Sequence, residues 1–148
     1  SDIRDKEKLF ETVKKYEPEF VFHLAAQPLV LESYVKPKET YDVNIGGTVN
    51  LLECCRITKS IKIIVNITTD KCYENKDWIW GHRENDRLGG YDPYSSSKVG
   101  SEVITSAYRQ SYFNPEKVSE HGKNIASVRA GNVIGGVKFA RGVITRFC

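Results

Sequence analysis

Apolar positions recur along this chain in two rhythms. Between Asp5 and Tyr16 they are Leu9, Phe10 and Val13, at helical spacing, with Asp5 placed to cap the first turn. The run EFVFHLAA (Glu19 to Ala26) follows, nearly all apolar and bounded by Pro18 and Pro28, which predicts a strand buried on both faces. Pro37 suits a first helical position and opens a predicted helix reaching about Ile57, whose expected apolar face is Tyr41, Ile45, Val49, Leu52 and Cys55. Ile61 to Thr68 (IKIIVNIT) predicts a second buried strand. An irregular stretch of about twenty residues ends at Asp92-Pro93, where another helix begins and runs to about Phe113. Asn124 to Ala130 (NIASVRA) predicts a third strand, followed by the turn GNVIGG.

Helices and strands alternate, which predicts an α/β fold with a parallel sheet and helices on both faces. In such sheets ligands bind beyond the carboxyl ends of the strands. Three loops should therefore line one crevice: Ala25-Ala26-Gln27, Thr68-Thr69-Asp70-Lys71 and Ala130-Gly131-Asn132-Val133.

Composition narrows the function classes. The 148 residues are 40% hydrophobic and 28% charged, with a net charge of +3 and no basic run, so a nucleic-acid partner is not expected. No apolar segment approaches a membrane span. Cys54, Cys55, Cys72 and Cys148 form no metal-ligand spacing with His23, His82 or His121, so no metal site is expected. Reduced, buried thiols in a cytoplasmic protein are the expectation. The chain opens without a leading strand and stops at Cys148, and it reads as a piece of a longer protein.

Tyr94 and Lys98 in YSSSK stand one helical turn apart on one face. A free phenol has a pKa of about 10, and a neighbouring ammonium favours its phenolate. By itself the pair reads as an exposed surface helix pair, and only its context argues for chemistry. Thr68 or Thr69, at the end of the preceding strand, could meet the tyrosine across the crevice. Asn44 and Gly46-Gly47 weaken the middle of their helix, which predicts a local break holding a polar side chain or water against the lysine. Asp70-Lys71 reads as a turn, an ion pair or a catalytic pair. Trp78 and Trp80, with Tyr73 and Tyr91, would stack on a base or close a hydrophobic lid, the lid being favoured.

HLAAQ, NIGGTVNLLE, TTDKCY, YSSSK and RAGNVIGG occur here in the order that resembles the extended short-chain dehydrogenase/reductases acting on sugar nucleotides. The resemblance covers nearly the whole chain and implies a Rossmann-like domain over 1–148, partial, with no second complete domain. Lys71, where other branches usually carry an acid, resembles the branch that dehydrates CDP-hexoses and implies CDP-glucose as the substrate. The resemblance implies NAD as cofactor, with Tyr94 taking the proton of the sugar 4-hydroxyl, Lys98 holding the nicotinamide ribose and Thr69 bonding the 4-oxygen. Asp70 would be the acid for the departing 6-hydroxyl, and Lys71 the base at C5 or the group that positions it. Both roles need desolvation to adjust the protonation states. Asp2 and Ile3 would meet the adenine, unless that end is frayed; Leu24, Ala25, Ala26 and Gln27 would line the pyrophosphate and nicotinamide; Val133 would meet the carboxamide. Asn132 would bond the sugar-nucleotide phosphate, Gln27 would meet the substrate as well as the cofactor, and Asn44 belongs to the implied cofactor contacts. The helices from Pro37 and Tyr94 resemble those that pair like subunits, which implies a homo-oligomer.

The chain departs from the family pattern in lacking a glycine-rich turn after a first strand, and VKFARGVITRFC replaces the usual continuation. The expectation is that these residues alone bind NAD poorly and turn over nothing. Two other readings stay open. A sugar-nucleotide epimerase or decarboxylase would share Tyr94 and Lys98 without needing Asp70-Lys71. A non-catalytic dinucleotide-sensing domain would keep the fold alone, although the complete Thr69, Tyr94, Lys98 set argues against it.

Overall fold

The computed structural model describes residues 2–131. Helix α1 (Lys6–Tyr16) starts where Asp5 accepts the Lys8 N–H at 3.0 Å and ends where Glu17 turns left-handed, at φ 42°. Three parallel strands follow in the order β1 (Phe20–His23), β2 (Ile63–Thr69), β3 (Asn124–Ala130), with His23 beside Asn66 and Thr69 beside Ala130. Strand β2 begins at Ile63 and takes in Thr69, so its frame sits slightly later than the apolar run suggested.

Between β1 and β2 lie α2 (Val30–Val35), α3 (Pro37–Tyr41) and α4 (Gly47–Ile57). Helices α3 and α4 are joined by a π-helical turn over Asp42–Gly46, so the chain does loosen at Asn44 as its sequence implies. The expected apolar face of this segment needs correction. Leu52 and Cys55 are buried as expected, but the other buried residues are Thr40, Asn44, Gly47, Thr48, Leu51 and Cys54, while Tyr41 is exposed and Ile45 and Val49 are only half-buried. The upper part of α4 meets α5 (Pro93–Ser111) through hydrogen-bonding side chains, and hydrophobic periodicity cannot register that contact. After α5, a 3-10 turn (Pro115–Lys117) and the short α6 (Val118–His121) lead into β3.

Val13, Leu51, Leu52, Ile61, Ile64, Phe113 and Ile125 pack into one core between α1, α4, α5 and one face of the sheet. The opposite face carries Phe20, Phe22, Ile63 and Val128, all exposed among the described residues. The apolar run of β1 is what a strand covered on both sides requires, and the described helices supply one of those covers.

Candidate active site

The strands end at one edge of the sheet, where β1 runs into Leu24 to Gln27, β2 into a 3-10 turn (Asp70–Cys72) and β3 into Gly131. The last two of these loops meet: a Cβ added at Gly131 would stand 3.5 Å from Asp70 Oδ2. The start of α5 joins them. Asp92 caps it by accepting the Ser95 N–H at 2.9 Å and the Ser95 hydroxyl at 2.5 Å, and Pro93 fills the first helical position. Gly90 is needed at the approach, because a Cβ there would lie 2.4 Å from the Ser96 nitrogen.

Tyr94 sits in the first turn of α5, 8% exposed, and its backbone N–H donates to Ser33 Oγ of α2 at 3.1 Å. One turn on, Lys98 is also buried, and its Nζ donates to the Ile67 carbonyl of β2 at 3.4 Å. The lysine is thus tied to the strand whose end carries Thr69. Burial holds the Lys98 pKa below the ordinary lysine range, opposed by its neighbours Cys72 and Glu102. His23, buried behind it and facing its charge, is lowered to about 4, with burial the larger cause.

Thr69 is buried, with its hydroxyl donating to Asp70 Oδ1 at 3.2 Å and accepting the Lys71 N–H at 3.3 Å. Asp70 Oδ1 and Lys71 Nζ are 3.8 Å apart, and the two side chains are 50% and 46% exposed. A pair this exposed contributes only about 0–1 kcal/mol to stability, so its position rather than its strength is informative. Asp70 and Lys71 line a cavity of about 380 Å³, with Asp92 and Ser95 from the α5 start and Tyr73, His82 and Tyr91 from the long loop. The acid-amine doublet and the turn that bears Tyr94 therefore face one hollow. The desolvation required of Asp70 and Lys71 is not supplied by burial among the described residues.

Other expected site residues are placed as follows. Gln27 is engaged by its own loop and by α3: Oε1 accepts the Leu29 N–H at 2.6 Å and Nε2 donates to Thr40 Oγ1 at 2.9 Å. Asn44 clamps the same loop, accepting the Gln27 N–H at 2.8 Å and donating to the Gln27 carbonyl at 3.1 Å and to Ser97 Oγ at 2.8 Å. Its amide thus fixes the β1 loop against α5 and does not point at the lysine. Leu24 and Ala25 are exposed, and Ala26 is half-buried. Asp2 is exposed and paired with Arg4 at 2.6 Å, and that guanidinium holds its carboxyl at about 2. Ile3 packs against Gly47 of α4. Asn132 and Val133 lie outside the described residues. Trp78 and Trp80 line a separate hollow of about 540 Å³ with Gly81, Arg83 and Asp86, apart from the cavity walled by Tyr73 and Tyr91.

Sequence reasoning missed Ser33, which steadies the Tyr94 backbone from a short helix with no strong apolar rhythm. It also missed Glu102, although a carboxylate four residues after Lys98 was a readable signal. Glu102 is buried, accepts the Thr68 hydroxyl, the Ser127 hydroxyl at 2.9 Å and Arg129 Nη2 at 3.0 Å, and so binds α5, β2 and β3 at one point.

Residues 1–143 match the family model described as GDP-mannose 4,6 dehydratase. Over 140 residues the chain is 56% identical to a CDP-glucose 4,6-dehydratase of Salmonella typhimurium, covering 95% of this chain and 39% of that protein. The X-ray structure of Pal from Bacillus thuringiensis aligns with a TM-score of 0.81 at 26% identity, over 97% of this chain and 42% of that one. DesIV, a dTDP-glucose 4,6-dehydratase of Streptomyces venezuelae solved with NAD, aligns as a double mutant with a TM-score of 0.77 at 26% identity, over 91% and 38%. The chain spans about two fifths of the length of these proteins. With its parallel sheet, its Tyr94-Lys98 helix and this breadth of similarity, the chain belongs to the sugar-nucleotide epimerase/dehydratase family of the short-chain dehydrogenase/reductase type that the GDP-mannose 4,6-dehydratase model describes.

Proposed function

We propose that the chain carries the catalytic segment of an NAD-dependent CDP-glucose 4,6-dehydratase, which yields CDP-4-keto-6-deoxyglucose. The observation that carries this reading is the shared cavity, where Asp70 and Lys71 face the α5 turn of Tyr94. The small, outward-facing Ala25 beside Ala26 and the buried Lys98 ammonium suit a dinucleotide laid across the strand ends. Bound NAD would take hydride from C4 and return it to C6.

The residues divide the remaining work. Tyr94 accepts the 4-hydroxyl proton, and the Lys98 charge one turn away favours its phenolate. Thr69, which accepts the Lys71 N–H, turns to the 4-oxygen of bound substrate the hydroxyl proton that it otherwise donates to Asp70. With a ketone at C4 the C5 proton is acidic, so Lys71 removes it, or positions the group that does, while Asp70 protonates the departing 6-hydroxyl. Substrate filling the cavity would exclude the water that now reaches both side chains. Leu24, Gln27 and Asn44 shape the β1 side of the cleft. Asp2, Ile3, Asn132 and Val133 belong to the proposed cofactor and substrate contacts, and pairing of like chains through α4 and α5 to its assembly.

The test uses the whole protein supplied with CDP-, UDP-, dTDP- and GDP-glucose in deuterated water. CDP-glucose should give the 4-keto-6-deoxy product fastest, with one solvent deuteron at C5. Tyr94→Phe should lower kcat by roughly 10²–10⁴-fold. Asp70→Asn should suppress product formation. Preference for another nucleotide would overturn the CDP assignment, and a silent Tyr94→Phe would overturn the mechanism.

A further inference from the structure

Arg129 leaves β3 on the sheet face that packs against α5, and its guanidinium touches three residues, one on α5 and two in the loop before it. Nη2 donates to Glu102 Oε2 at 3.0 Å, Nη1 donates to the Glu84 carbonyl at 2.9 Å, and the guanidinium carbon lies 4.9 Å over the Tyr73 ring. Glu102 stands one helical turn beyond Lys98 and is 5% exposed, with further hydroxyl donors from Thr68 and Ser127. Glu84 and Tyr73 belong to the long loop between β2 and α5. The Tyr73 ring also stacks on His82, with centroids 4.7 Å apart and planes 9° from parallel. Tyr73 and His82 form the aromatic wall of the cavity that holds Asp70 and Lys71.

A planar guanidinium can make these contacts at once, using its edges for a carboxylate and a carbonyl and its face for a ring. A lysine ammonium could keep the Glu102 pair but not the whole set. We propose that Arg129, anchored by Glu102, is a positioning residue that fixes the Tyr73–His82 wall at its working distance from Tyr94 and Lys98. The wall then grips the sugar end of a nucleotide sugar, which rests on the function proposed above. Arg129 acts through these groups and touches no reacting atom. Its loss should weaken substrate capture more than the chemical step.

The experiment compares the whole protein with Arg129→Lys, with the neutral pair Arg129→Met/Glu102→Gln and with Tyr73→Leu. The neutral pair guards against misfolding from a stranded buried carboxylate. Each variant is expected to raise KM about tenfold and to change kcat less than about twofold. Trypsin should cut Arg129→Lys faster after Lys76, Arg83 and Arg87, all within the loop, and not elsewhere. An unchanged KM with unchanged loop cleavage would overturn the proposal. So would a fall in kcat at constant KM, or cleavage rising throughout the chain with activity lost in proportion to folded protein. If the parent does not act on CDP-glucose, the proposed function fails separately, and the site of tryptic cleavage alone decides whether Arg129 holds the wall.

Discussion

Along the helix-facing side of β2, Ile64, Asn66 and Thr68 succeed one another and sample two kinds of interior. Ile64 is fully buried among Leu52, Ile61, Phe113 and Ile125, where contacts are non-directional and any apolar group of the right shape serves. Two residues later the same face turns polar. Asn66 Nδ2 donates to Ser101 Oγ at 2.9 Å and Thr105 Oγ1 at 2.7 Å, and Thr68 donates to Glu102. Hydrogen-bond bookkeeping fixes the direction of each link. Thr48 gives its only proton to the Asn44 carbonyl at 2.6 Å, so His23 Nε2 and Ser101 Oγ, each 3.0 Å away, must both donate to it. The apolar base sets how tightly the layers close, whereas the polar seam sets how they are rotated and registered. Tyr94 and Lys98 ride on the seam, where a helix able to slide would misplace them.

This contrast can be broken at its base first. Leu52 is 1% exposed at the centre of the core. Leu52→Ala should destabilise the protein by about 3 kcal/mol in urea unfolding, through lost transfer energy plus the cavity left behind. A cost below about 1 kcal/mol would mean that the base is loosely packed and that the seam carries the fold.

The seam is tested next by acid. His23 keeps a folded pKa of about 4 against an ordinary value of 6.5, so the unfolded chain binds a proton that the folded chain refuses. The resulting stability is fully present above pH 6.5 and is lost as pH falls towards about 4. Between pH 7 and pH 5 the loss should be about 2 kcal/mol. His23→Gln should flatten that part of the pH profile, as measured by urea unfolding at the two pH values. An unchanged slope would show that water reaches His23 and that the seam is wet.

What the sequence made legible follows the same division. The strands and the start of α5 were readable, because Asp92-Pro93 is a local signal, β1 and β2 open on apolar runs, and β3 spaces Ile125 and Val128 among small residues before a glycine-bearing turn. The weak point at Asn44 was readable too, from glycine and asparagine in mid-helix, and it appears as a π-helical turn. The lower face of α4 was readable at Leu52 and Cys55, but its upper face was not. Asn44 and Thr48 are buried by partners on β1 and α5, and a polar residue satisfied across a long sequence distance leaves no apolar rhythm. In the site, Tyr94, Lys98 and the Asp70-Lys71 doublet were visible as motifs. The clamp of Glu102 and Arg129 was hidden because its partners are 27 positions apart and only the sheet brings them together.

The smallest expected effect sharpens the contrast most. Among the described residues Asn66 Oδ1 meets no donor, so the seam's central amide uses only its NH₂. Asn66→Leu removes that unpaired oxygen with the two donors. Ser101 still donates to Thr48, and Thr105 still donates to the Ser101 carbonyl at 2.8 Å, so neither hydroxyl loses all its partners. Because an apolar isostere replaces both the made and the unmade bonds, unfolding should shift by no more than about 1 kcal/mol. If the seam governs registration rather than cohesion, the same substitution should nevertheless lower kcat in the whole protein, because α5 and β2 lose their central tie next to Lys98. Unchanged stability with reduced turnover would separate the two kinds of interior; a large loss of stability with intact kcat would show that the seam is merely a second core.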